Sequence, residues 1–113
     1  MMRLIRMMLS AVFCFLFIVS CHPQNSKTDK ALSFRLARQS DTLIRANKLD
    51  SAQILIDKAL KIYPGNYIAY NNRAYIKRLE KKPQREIIDD LNKAIELWPE
   101  YDIGLFSLAN YYF

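Results

Sequence analysis

The side chains able to do chemistry are few, and their spacing does not combine them. His22 is the single histidine of the 113-residue chain. It stands in a polar stretch beside Cys21 and reads as a solvated side chain, not a base or metal ligand. Asp89 and Asp90 are adjacent. Consecutive residues of a helix point about 100° apart, so this pair cannot share a proton or a metal ion. The serines of the helical part have no histidine near them to make a nucleophile. No glycine-rich phosphate loop exists, because the chain has two glycines in all. These residues predict no enzyme, no cofactor and no metal site. The seven tyrosines fit binding better, since Tyr offers apolar area with a polar tip.

Both cysteines belong to the amino-terminal segment. Arg3 and Arg6 give it a positive start, and Leu9 to Val19 is an uncharged apolar run of 11 residues. A spanning helix needs about 20 such residues. A basic start, a short apolar run and a small residue before the cut describe a secretory signal peptide over residues 1–20. An uncleaved transmembrane helix is the alternative. Ile18-Val19-Ser20-Cys21 resembles the bacterial lipobox. That resemblance implies a lipid attached at Cys21 and membrane attachment through the anchor, at about 0.8 kcal/mol per buried CH₂. It also implies a lipoprotein of the bacterial cell envelope. His22 is not the Asp that holds such proteins in the inner membrane, so the outer membrane is expected. With Cys14 discarded and Cys21 blocked, the mature chain would keep no thiol for a disulfide, a metal or a nucleophile. Of 17 basic residues Arg3 and Arg6 go with the leader, leaving 15 against 11 acidic and a net charge of +4. That mild excess, spread along helices, fits a solvated surface and predicts no nucleic-acid partner.

The remainder must be built of helices. Residues 21–30 read as the lipidated Cys and a flexible tether, and residues 31–113 as the folded domain. Ala31 to Ala46 places Leu32, Leu36 and Leu43 on one stripe, with Asn47 as a stop and Thr28 or Asp29 as cap. Asp50 to Tyr63 places Ala52, Ile56, Ala59, Leu60 and Tyr63 on one face. Asp50 and Gln53 there resemble a capping box. Tyr67 to Leu79 follows Asn66 as cap. Pro83 opens a fourth helix carrying Ile87, Leu91, Ala94, Ile95 and Trp98, and a fifth runs from near Asp102.

One phrase recurs 35 residues apart: Lys58-Ala59-Leu60-Lys61-Ile62-Tyr63-Pro64 and Lys93-Ala94-Ile95-Glu96-Leu97-Trp98-Pro99. Tyr70 and Ala74 fit the first helix, and Leu91, Ala94 and Pro99 the second helix, of a tetratricopeptide repeat, which the segment Tyr67–Pro99 resembles. Leu36, Ser40, Ala52, Ile56, Ala59 and Pro64 repeat the match one unit earlier. Arg73 and Gln39 depart from it where the family usually has Leu, and Ile87 where it has Ala. The resemblance implies an all-α fold of antiparallel helix hairpins stacked as a short solenoid. It has about two and a half repeats: units near 33–66 and 67–101 and a partial one at 102–113. Ala59, Ala74 and Ala94 are expected where helices cross closely.

The resemblance also implies a concave groove that takes a protein or peptide partner. Carried over, its candidates are Ile68, Asn71, Asn72, Tyr75, Arg78, Ile103, Phe106 and Asn110. A clasp for a peptide's terminal carboxylate is not expected: Asn72 fits that pattern, but Ala37, Asp41, Ile103 and Ser107 do not. The last helix is apolar nearly all round, unlike the usual polar end of such an array. The expected function is a lipid-anchored interaction scaffold. The alternatives are a subunit that closes a homodimer through its C-terminal helix, and the start of a longer chain whose activity lies downstream.

Overall fold

A computed structural model describes residues 27–112, which form five α-helices and, among the described residues, no strand. They are α1 (Lys27–Arg45), α2 (Leu49–Ile62), α3 (Tyr67–Leu79), α4 (Gln84–Leu97) and α5 (Asp102–Tyr112). α1 pairs with α2 and α3 with α4, while α3 also lies against α1 and α2, and α5 rests on α4. This is the stacked-hairpin, tetratricopeptide-like arrangement that the 35-residue echo predicts.

α1 starts earlier than the stripe of leucines indicates. Lys27 to Lys30, expected in the tether, are its first turn, so Thr28 and Asp29 sit inside the helix instead of capping it. No Pro or Gly stands between Pro23 and Pro64 to stop the helix reaching back. Asp29 in that first turn also complements the positive end of the helix dipole. Residues 1–26, with the leader and Cys21, lie outside the described residues.

α1 ends at Arg45, and Asn47 just beyond it takes the left-handed conformation at φ 57°. The N–H of Lys48 then returns to the carbonyl of Leu43 and that of Asn47 to Ile44, which satisfies two free carbonyls of the last turn. Lys81 closes α3 the same way, at φ 54°, with Lys82 bonded to Lys77 and Lys81 to Arg78. The capping box expected at Asp50 and Gln53 does not form. The connection is so short that Lys48 takes the cap position and Asp50 falls in the first turn. The Gln53 amide donates instead to Asp57 Oδ1 at 2.8 Å. Asn66 does cap α3, its Oδ1 accepting from the Ala69 N–H at 3.1 Å.

The apolar core is uneven. Leu36, Ala37, Ile44, Ala52, Ile56 and Ala59 of the first hairpin join Ala69 and Ile76 of α3 in one cluster. A second, smaller cluster between α3 and α4 holds Ala74, Ile87 and Leu91, covered by Leu108 of α5. Ala59, Ala74 and Ala94 are all buried, as close crossings require. The first helices are further tied by polar contacts. Ser33 Oγ donates to the Ala59 carbonyl at 2.6 Å and accepts from Asn66 Nδ2 at 2.8 Å. An aromatic spine crosses the same joints: Phe34 stands 5.3 Å from Tyr67, and Tyr67 stands 4.7 Å from Trp98 and 4.8 Å from Tyr101 between ring centres.

Candidate functional site: a trough across the first helices

α1, α3 and α5 share one face, and a cleft of about 600 Å³ opens there. Seven of the eight residues expected in a groove line it: Asn71, Asn72, Tyr75 and Arg78 from α3, and Ile103, Phe106 and Asn110 from α5. Ile68 lines an adjoining cleft of about 350 Å³ that shares Asn71, Asn72 and Ile103. Helical spacing explains the gathering: Ile68, Asn71, Tyr75 and Arg78 fall on one stripe of α3, and Ile103, Phe106 and Asn110 repeat it on α5. The opposite stripe of α3, Ala69 and Ile76, is spent on the core.

The trough has an apolar floor that stays in water. Ile103 is 60% exposed, Phe106 69%, Leu79 45% and Tyr75 41%. Its charged residues are mostly arginine. Arg38 and Arg45 come from α1 and Arg78 from α3, against one carboxylate, that of Asp41. Arg45 Nε meets Asp41 Oδ2 at 3.0 Å. The Arg78 guanidinium lies 4.7 Å over the ring of Tyr75, which fixes its position. Such stacking suits a surface that must hold a cation ready at low entropic cost.

The two neighbouring asparagines have different fates. Asn72 is 7% exposed. Its Nδ2 donates to the Ala37 carbonyl at 2.9 Å and to Ser40 Oγ at 3.0 Å, so its donors bind α1. It is a wall of the trough and a tie between hairpins. Asn71 makes no such bonds, and its Oδ1 is buried without a partner. An unmatched buried acceptor loses about 1–3 kcal/mol relative to a paired one.

Sequence reasoning left out the α1 side of the trough, although a signal for it existed. Stepping back 34 residues from Asn72, Tyr75 and Leu79 lands on Arg38, Asp41 and Arg45, which are lining residues. It also missed a charged cluster behind the trough. Arg73 donates through Nε to Asp90 Oδ2 at 3.0 Å and through Nη2 to Oδ1 at 2.6 Å. Lys77 Nζ reaches Asp90 Oδ2 at 2.9 Å. The Arg73 pKa is raised, chiefly by the hydrogen bond to Asp90, with burial opposing. Arg73 thus holds the second hairpin together by charge, where the family's usual Leu would use apolar contact. Asp89 is exposed, so the adjacent carboxylates do diverge. Among the described residues no three His, Cys, Asp or Glu side chains are grouped to hold a metal ion.

No family model matches the chain. It is 44% identical over 66 residues to a protein of Caenorhabditis elegans named tetratricopeptide repeat protein 36, a match covering 58% of this chain and 36% of that one. It is 32% identical over 79 residues to the protein of the same name in Caenorhabditis briggsae, covering 67% of this chain and 44% of that one. The chain therefore spans less than half the length of these relatives. They support a tetratricopeptide-like protein. They overturn the expected placement in a bacterial cell envelope at the outer membrane, because both are nematode proteins. Among the described residues no helix is long and apolar enough to cross a membrane.

Proposed function

We propose that this chain is a protein-interaction module whose trough across α1, α3 and α5 receives a peptide segment of a protein partner. One observation carries the reading. Four large apolar side chains, Tyr75, Leu79, Ile103 and Phe106, stay exposed in a single concavity while Ile56, Ile76 and Ile87 are buried within the stack. Exposed apolar area gathered in a concave, polar-rimmed site is the usual mark of a binding surface. Peptide selection from a displayed random library tests it. The proposal requires enriched peptides whose binding is lost when Phe106 or Ile103 is replaced by Asp, with helix content unchanged by circular dichroism. Enriched peptides that bind the Asp variants as well as the parent chain would remove the trough from consideration.

A second reading, a homodimer closed by α5, is favoured by Leu105, which is 44% exposed and does not line the trough. A sedimentation-equilibrium experiment separates it from the first: a monomer at tens of micromolar, with the peptide site intact, leaves only the module.

A further inference from the structure

Resting on that peptide-binding reading, we infer that the trough selects an internal segment of its partner, one with a bulky apolar residue beside acidic residues, and not a free chain end. The charge of the lining carries the first half. Arg38, Arg45 and Arg78 face it against Asp41 alone. Asp41 is already matched by Arg45 at 3.0 Å, so Arg38 and Arg78 meet no carboxylate in the trough. Arg78 is held on Tyr75, next to the exposed ring of Phe106 and the exposed Ile103. A ligand that covers the apolar floor therefore brings its neighbouring residues against guanidinium groups. Carboxylates there gain paired, directional hydrogen bonds, while lysines would be repelled. At physiological salt these exposed groups still act over about 8 Å, which is the scale of the site.

The exclusion of a free chain end rests on what the trough lacks. A terminal carboxylate carries one charge on two oxygens and wants several donors converging on it. The Asn72 amide, which lies where it would help, is already bonded to Ala37 and Ser40.

Two displayed libraries test the inference on the full chain, one with random segments inside a fusion and one with random free carboxyl ends. We expect enrichment from the internal library, with Glu or Asp beside Leu, Phe, Trp or Ile. A synthetic amidated peptide of the winning sequence should lose about tenfold or more in affinity when its acids become Gln. It should lose a similar factor with Arg78→Gln, recover with Arg78→Lys in part, and weaken steadily as salt rises. Winners that need a free carboxyl end, or that are neutral or basic, overturn the inference while leaving the peptide site standing. No enrichment from either library removes the inference together with the peptide-binding reading.

Discussion

Replacing Asp90 by Ala tests how the second hairpin is held. Asp90 is 4% exposed and receives three charge-assisted contacts, two from Arg73 and one from Lys77. The apolar cluster between α3 and α4 is small, Ala74, Ile87 and Leu91 with Leu108 over them beside the buried Ala94, so the ion cluster carries a large share of the hairpin's cohesion. Removing one partner of a buried pair costs about 3–5 kcal/mol, because the remaining charge is left without compensation. Here the cations have an escape. The Arg73 and Lys77 side chains are 29% and 23% exposed and can swing toward water. We therefore expect about 2–3 kcal/mol for Asp90→Ala. For a domain of this size each kcal/mol moves Tm by about 4–8 °C, so the melting temperature should fall by roughly 10 °C or more. Because Asp90 raises the already high Arg73 pKa, the guanidinium stays charged and the cluster cannot be dismantled by titrating it in any usable alkaline range. The double variant Arg73→Leu with Asp90→Leu should regain much of the loss, since well-packed apolar pairs often match buried ion pairs. Thermal and urea unfolding followed by circular dichroism read both. A change below about 0.5 kcal/mol for Asp90→Ala would refute the argument, as would a double variant weaker than the sum of its singles.

Three further outcomes follow from local geometry. Burial, and then Tyr67, push the Tyr101 pKa up to about 12 from 10.0; its neutral form is favoured by folding, so its contribution is whole below pH 10 and is lost as pH rises toward 12. Because the ring is only half-buried, about 1 kcal/mol is expected over that window, with one late-ionising tyrosine in an absorbance titration. Lys81→Gly should stabilise the chain by up to about 1 kcal/mol in urea unfolding, since Lys81 holds φ 54° where Gly carries no steric penalty. Asn66→Ala removes a cap and the tie to Ser33 together, and should cost about 1–3 kcal/mol by the same assay.

The sequence announced the parts of the fold that depend on pattern. Ala52, Ile56 and Ala59, and 35 residues later Ile87, Leu91 and Ala94, are buried because apolar spacing on a helix translates directly into a facing stripe. The groove candidates on α3 and α5 came from the resemblance to tetratricopeptide repeats, carried over position by position, and the cleft gathers seven of the eight. What stayed hidden depends on which polar residues find one another. Arg73 looked like a misplaced charge, because its partner Asp90 lies on the other helix of the hairpin, 17 residues on. Ser33 and Ser40 showed no partner in the sequence, yet Ser33 is bonded to Asn66, the cap of α3, and Ser40 to Asn72 within it, across the joint between hairpins. The capping box failed because the length of a turn, which periodicity does not report, decided which residue takes the cap position. Placement in the cell was read from the amino-terminal segment and His22 alone, where no packing is involved, and the nematode relatives overturn it.

The most direct test of the central claim is a backbone and side-chain NMR titration of the chain with a selected peptide. The account predicts that the largest shifts fall on Ile68, Asn71, Tyr75 and Arg78 of α3 and on Ile103 and Phe106 of α5, with Ile54 and Asp57 on α2 unmoved. Shifts centred on α2, or on the aromatic spine at Phe34 and Trp98, with the trough silent, would contradict it.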